Sequence, residues 1–418
     1  DCVELEPAVV EAGRYWAGYN GRVLEDPRLK MHLTDGRTFI QASRERYDLI
    51  ASEPSNPWIA GVANLYTREF YLTCARKLES GGLMAQWVQL YGLSQLDLHS
   101  ILRTFFEGFP HGAVWQTSSG DLLLIGSLTP IKFDLARLER LYAGTPAIRR
   151  DLAAIQLYRP GMLLGHYLGE REPFYAAFGA APRNTDDRPR LEFTAPFGLY
   201  NDQTESNLLS LDVARTGRSS LPPGLDPTPH RLIEAAHGQV NLGRLGDIRR
   251  LTPLANEPGC SLVAALAAER DEDPTTPRLY EQALQEQPDD PVTLWLATMY
   301  LLRKGNPSDA DKLLTRLEKS PPPGLEESVQ VVRAQVLHRL GRLAEAEICL
   351  LRAIEVKSGY STAWTWLGRI QAAANKPAEA LESFEKALQL NAYDPDARAG
   401  KTVALMALNR WPEAVAAA

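Results

Sequence analysis

The sequence predicts two architectures in one chain: an α/β part built on a doubly wound parallel sheet, then an all-α solenoid of helical repeats. Three observations carry this. Short apolar runs alternate with helix-compatible stretches through about residue 95, the order that winds a parallel sheet. At Tyr47 an apolar strand runs into a carboxylate and a loop punctuated by two prolines, YDLIASEPSNPW, and strand ends of this kind are where ligands sit in open α/β sheets. From Glu327 onward small and apolar residues recur every 34 positions, a period that belongs to helix-pair repeats.

Residues 3–5 read as the first strand, and residues 8–19 as a helix with Val9, Val10, Tyr15 and Trp16 available for a buried face. A second strand, 29–33, ends at Asp35 and Gly36. The third covers Tyr47 to Ser52; its unbroken Leu49, Ile50 and Ala51 are how a strand buried on both faces reads. Pro54 and Pro57 restrict their own φ and the residues before them, so Glu53 and Asn56 stand on a stiff loop. A helix over 67–78 is stopped by Gly81 and Gly82, and residues 83–88 form the fourth strand. After a helix over 96–107, two short strands at 113–116 and 122–126 flank the turn-rich TSSGD, which predicts an antiparallel hairpin at the sheet edge.

Residues 216–255 are rich in Gly, Pro, Ser and Arg, as in SSLPPGLDPTP, and read as a linker or irregular junction. Domains are therefore expected over 1–215 and 256–418. Within the second, Ala346 recurs as Ala380 and Ala414, Leu350 as Phe384, and Gly341 as Asn375 and Asn409. The unit over 361–394 has Trp364, Leu367, Gly368, Ala380, Phe384 and Ala387 in phase, the pattern of a tetratricopeptide repeat. Such an array supplies a concave groove for a protein partner.

The chain has 418 residues, 44% hydrophobic and 23% charged, with a net charge of −7. That balance gives no basic footprint for nucleic acid. The four scattered cysteines form no CxxC pair, so no zinc site or disulfide framework is signalled and a reducing, cytoplasmic setting fits. No apolar run approaches the ~20 residues of a membrane-spanning helix.

Acids at the ends of the first two strands, Glu4 and Asp35, suit ribose hydroxyls and a nucleobase edge, or are ordinary strand-end polar residues. Asp186 and Asp187 in NTDDRP either meet a cation or form a local ion-paired turn with Arg188 and Arg190.

In order and spacing, VELEPAVVEAGRYW, DPRLKMHLTDGRTFI, YDLIASEPSNPW, LYTREFY and GGLMAQWVQ resemble spermidine synthase, the polyamine aminopropyltransferase family, over about residues 1–126. SEPSNPW and NTDDRPRLEF are similar to spermidine-synthase-like domains fused in bacteria to membrane transporter-like segments. The resemblance implies a Rossmann-like sheet of the S-adenosylmethionine-dependent methyltransferase type, with its first strand and glycine loop missing ahead of Val3. It implies transfer of an aminopropyl group from decarboxylated S-adenosylmethionine, a co-substrate and not a tightly bound cofactor, to a small-molecule amine. Glu4 matches the ribose-binding acid, Asp35 and Gly36 the adenine-side pair, and Gln86 a glutamine on the fourth strand. Glu53 falls at the catalytic aspartate and Asn56 at a second aspartate that helps hold the amine. Trp58 and Tyr66 flank the loop and are available to cover adenine or an alkyl amine.

Two departures matter. Glutamate moves the carboxylate by over an ångström relative to aspartate, and about 1 Å of misplacement can cost ~100-fold in rate. A neutral amide at Asn56 does not pair with an ammonium as a carboxylate does. An altered amine acceptor, methyl transfer from S-adenosylmethionine and a non-catalytic repeat scaffold all remain open. With no glycine-rich turn ahead of Val3, these 418 residues are expected to bind S-adenosyl compounds weakly and to be inactive by themselves. A membrane part upstream and a homo-oligomer are both compatible with this reading.

Overall fold

The computed structural model describes residues 1–18, 20–217, 220–254, 258–319, 321 and 325–417. They form two compact units. One comprises Asp1–Phe133 with His166–Asp226, the other Asp134–Gly165 with Pro227–Ala418.

In the first unit the strands are β1 (Cys2–Glu4), β2 (Met31–Leu33), β3 (Tyr47–Ser52), β4 (Leu78–Gln89), β5 (His111–Ser118), β6 (Asp121–Ser127) and β7 (Tyr167–Glu170). The strands are mixed in direction, as the parallel pattern with an antiparallel hairpin implies. β1 and β2 pair in parallel as a two-stranded sheet, and a five-stranded sheet has the order β3-β4-β6-β5-β7. Only β3 and β4 are parallel in the larger sheet; β6 joins β4 and β5 antiparallel, and β7 joins β5 antiparallel. The predicted hairpin of β5 and β6 forms, but its second strand inserts beside β4, so β7 takes the edge. The insertion follows from composition: Leu122 and Leu124 are fully buried on a face shared with Met84 and Val88, which a central position satisfies better than an edge.

Helices α1 (Pro7–Tyr15), α2 (Gly36–Ala42), α3 (Arg68–Lys77) and α4 (Gln95–Gly108) connect the first four strands and lead to the hairpin. Thr67 caps α3 by accepting from Phe70 N (3.3 Å), and Ser94 caps α4 by accepting from Asp97 N (3.1 Å). The core packs Phe70, Tyr71, Cys74, Leu98, Ile101 and Phe105 against Met84, Val88 and Val114. Tyr71 meets Phe105 edge to face at 5.1 Å.

Two expectations about burial are corrected. Helix α1 buries none of its residues, and Val9, Tyr15 and Trp16 are exposed; a two-stranded sheet of three-residue strands offers too little surface to cover them. β3 is buried on one side only: Ile50 packs on the core while Leu49 and Ala51 are exposed.

In the second unit, the stretch read as irregular contains helix Pro229–Asn241, whose Leu232, Ile233, Ala235 and Ala236 are buried. Its proline sits at the helix start, where no donor is lost. Helices Pro291–Arg303, Pro307–Leu317, Glu326–Arg339, Leu343–Val356, Ser361–Ala373, Pro377–Leu390, Pro395–Ala407 and Trp411–Ala417 follow, each packed on the next. Their phase explains the recurring Gly and Asn. Gly305, Gly341, Asn375 and Asn409 all turn the chain between paired helices with φ of 76°, 75°, 58° and 59°, a left-handed conformation that these two residue types adopt most readily. Asn375→Ala is therefore expected to lower stability by about 1 kcal/mol and Asn375→Gly to leave it intact, as read from paired thermal melts.

Candidate active site

Glu4, Asp35 and Gly36 fall at the carboxyl ends of the parallel pair β1 and β2, and Glu53 and Gln86 at that of the parallel pair β3 and β4, the position that open α/β sheets use for ligands. Glu4 closes β1, where Glu4 pairs with Leu33 and the Glu4 carbonyl accepts from Thr34 N at 3.0 Å. One of its carboxylate oxygens accepts from Glu6 N at 2.9 Å. Asp35 follows β2 and caps α2, accepting from Thr38 N at 2.7 Å. The second oxygen of each carboxylate accepts no side-chain or backbone hydrogen bond among the described residues. Gly36 opens α2 in ordinary helical backbone, and a Cβ there would meet no atom within 4 Å.

In the larger sheet, β3 and β4 run in register so that Ser52 faces Gln86. Gln86 is fully buried; its Nε2 donates to the Trp87 carbonyl (3.0 Å) and at longer reach to the Ser52 carbonyl (3.4 Å). Its Oε1 has no hydrogen-bond partner among the described residues, and an unmet buried acceptor is costly unless a ligand or water supplies a donor. Glu53 follows Ser52, is exposed, and makes no hydrogen bond or ion pair among the described residues. Asn56 is half-buried, and its carbonyl accepts from Ile59 N at 3.0 Å.

The two aromatic candidates separate. Trp58 is half-buried, meets Tyr91 edge-on at 6.2 Å, and packs so tightly on Gly92 that a Cβ there would come within 2.7 Å of its ring. Tyr66 is wholly buried, with its hydroxyl on the Trp87 carbonyl at 3.4 Å. Burial pushes its phenol well above the usual range. Its ring belongs to the core and not to the wall of a cleft, because the apolar interior between β4 and α3 has room for it.

Sequence reasoning missed Arg37, Asn184 and Glu192. The Arg37 guanidinium pairs with Asp186, and its Nη1 also donates to the Asn64 carbonyl (3.2 Å) and Thr67 Oγ1 (3.3 Å). The pairing holds the Asp186 carboxyl below the usual carboxylate range. So the acidic pair of NTDDRP lies in a local turn, in which Thr185 and Arg188 exchange backbone hydrogen bonds (3.3 and 3.1 Å) and Asp187 accepts from Thr185 Oγ1 at 2.6 Å, but the ion pair of Asp186 is with Arg37 and not with Arg188 or Arg190. The composition of that segment was a signal, but its partner lies far off in sequence.

The same unit has a cavity of about 520 Å³ lined by Arg68, Glu107, Arg171 and Arg183, among others, and by none of the strand-end residues. Its arginines are engaged: Glu107 accepts from Arg183 Nε at 2.8 Å and Arg103 Nε at 3.2 Å, with Arg68 at 3.7 Å. This is an ion-pair network on the helical face.

A family model for the spermine/spermidine synthase domain matches residues 1–113, and one for tetratricopeptide repeats matches residues 331–395 and 367–418. The polyamine aminopropyltransferase of Korarchaeum cryptofilum is 29% identical over 202 residues, 45% of this chain and 59% of that protein. That of Nitrosomonas europaea is 32% identical over 124 residues, 27% of this chain and 38% of the relative. The chain thus spans between 38% and 59% of the length of these relatives. Among solved structures, the type IV pilus biogenesis factor PilW aligns with 45% of this chain and 90% of its own at 16% identity and a TM-score of 0.40. The likeness to transporter-fused proteins finds no support in these matches, and no described helix is long and apolar enough to cross a membrane. Residues 1–113 carry a spermine/spermidine synthase domain, and tetratricopeptide repeats follow in the same chain.

Proposed function

We propose that the first unit transfers an aminopropyl group from decarboxylated S-adenosylmethionine to an amine that is not a simple diamine, while the repeats dock a protein partner. The supporting observation is the register of β3 with β4: it sets Glu53, which has no hydrogen-bond or ion-pair partner among the described residues, directly after the residue opposite buried Gln86. Glu4, Asp35 and Gly36 hold the nucleoside: the two acids each offer an oxygen, and the open space at Gly36 receives the base. The unmet Gln86 Oε1 is an acceptor for a donor of the bound substrates.

In the reaction, Glu53 takes the proton of the incoming ammonium, which frees the nitrogen lone pair. That lone pair forms a C–N bond to the carbon beside the sulfonium as the C–S bond breaks. The bonding pair leaves on sulfur, and methylthioadenosine departs. Asn56, neutral where the resemblance implies a carboxylate, withdraws the charge that would anchor a second ammonium, so acceptors with one cationic group are favoured.

Incubation of the full-length protein with decarboxylated or ordinary S-adenosylmethionine and a panel of amines tests this. The expected result is methylthioadenosine release and an amine heavier by one aminopropyl group. Glu53→Gln is expected to slow release by about 100-fold or more without changing the melting temperature, because the side chain is exposed and unpartnered. Consumption of ordinary S-adenosylmethionine alone would instead favour methyl transfer, and an inert Glu53→Gln substitution would leave the repeats as the working part.

A further inference from the structure

Glu53 and Asn56 stand on a segment of fifteen residues between β3 and α3, residues 53–67, which includes the short helical turn Val62–Tyr66. Asp35 and Gly36 stand on the other sheet, and no hydrogen-bonded strand joins the two sheets among the described residues. Something other than a strand ladder must hold the two halves of the site in one frame. A segment more than a hundred residues later does this from outside.

Asn184 is fully buried and ties four elements at once. Its backbone N–H donates to Thr104 Oγ1 (3.1 Å) and its carbonyl accepts from Arg68 N (2.9 Å). Its side chain donates to the Ala63 carbonyl (3.2 Å) and accepts from Leu191 N (3.2 Å). Glu192 reaches the same loop, and both its carboxylate oxygens accept from Gly61 N (3.0 and 3.2 Å). Gly61 is the loop's left-handed residue, φ 85°, so its N–H marks the bend. Asp186 pairs with Arg37, which follows Gly36 and also donates to the Asn64 carbonyl. The Asp186 N–H is itself fixed by Glu69 Oε2 at 3.0 Å.

We propose that residues 184–192 form a clamp in which Asp186 and Glu192 are positioning residues. Asp186 aligns the nucleoside side of the site through Arg37, and Glu192 fixes the bend of the loop that carries the base. Neither touches the reacting atoms. This rests on the proposed aminopropyl transfer only for its kinetic consequence; the clamp itself is a statement about the loop.

Hydrogen exchange and kinetics on Asp186→Ala and Glu192→Ala, with Glu192→Gln as the conservative control, test it. Exchange at Gly61 and Val62 is expected to quicken about tenfold in Glu192→Ala, with the β4 amides unchanged. Glu192→Gln, whose amide oxygen still accepts from Gly61 N, is expected to keep the protection. In turnover, Glu192→Ala is expected to lower kcat about tenfold with KM nearly constant, and Asp186→Ala to raise KM for the nucleoside co-substrate by a similar factor. Uniform quickening across the unit, or unchanged exchange at Gly61 in Glu192→Ala, overturns the clamp. If the wild type shows no turnover while the exchange pattern holds, the clamp stands and the transfer reading fails.

Discussion

Replacing Phe384 by alanine is expected to destabilise the repeat unit by about 3–5 kcal/mol, the range for removing a fully buried phenylalanine. The ring is 1% exposed and lies between two helices of successive repeats. A Cβ on Gly368 would come within 2.8 Å of it, and one on Gly400 would press closer still on the same ring. The cavity left by the substitution therefore has glycine on two sides. Neither residue can extend a side chain to fill it, so relaxation is limited and the loss lies toward the upper end. Urea unfolding followed by circular dichroism reads it, and a loss below about 1 kcal/mol would mean that the helices close the gap by shifting. Because repeats are coupled to their nearest neighbours, the variant should also unfold Pro395–Ala407 and Trp411–Ala417 earlier than the helices before them.

The second large effect is a loss of stability in mild acid that traces to His237. This side chain is 1% exposed in helix Pro229–Asn241, and its Nδ1 has no hydrogen-bond partner among the described residues. Burial, with Arg159 adding and Asp290 opposing, pushes its pKa down to about 4. The unfolded chain takes the proton near the ordinary value of about 6.5, so the unfolded state binds more protons between the two values. Stability is fully present above about 6.5 and is lost as pH falls through about 4, amounting to about 2–3 kcal/mol at pH 4.5. His230 works in the opposite sense. Its hydrogen bond to Glu234 raises its pKa, so its contribution is present in acid and lost as pH rises through the raised value. Denaturant titrations at pH 7 and 4.5 on the wild type and His237→Gln separate the two. The variant is expected to lose less between these pH values, and equal losses would rule His237 out as the cause.

Much of this was legible in the sequence where the physics is local. The apolar run ending at Ser52, the capped helix after Thr67 and the left-handed turns at Gly341, Asn375 and Asn409 each follow from residues within a few positions of one another. What was not legible depends on distant partners. Period-2 patterning reveals strands but not which strand lies beside which, so the insertion of β6 next to β4 could not be read from TSSGD. The exposure of Val9 and Trp16 depends on how much sheet is there to cover them, not on their spacing. Tyr66 looks the same in sequence whether it faces a ligand or the core. Asp186 sat next to two arginines in sequence, yet its guanidinium partner is Arg37, 149 positions away. Within the site, strand ends located Glu4, Asp35 and Glu53, but nothing local announced Glu192.

The one-sided burial of β3 has a consequence for how this protein behaves when concentrated. β3 is the outermost strand of the five-stranded sheet, and it carries exposed Leu49 and Ala51 along an edge with no strand partner among the described residues. An apolar edge of that kind is a template for pairing with another chain, and natural sheets blunt it with charge and with proline. Here exposed Asp48 supplies the charge, and Pro54 removes a donor just past the strand's end. Asp48 and Pro54 are thus the two residues expected to oppose such pairing, and replacing them is expected to favour self-association.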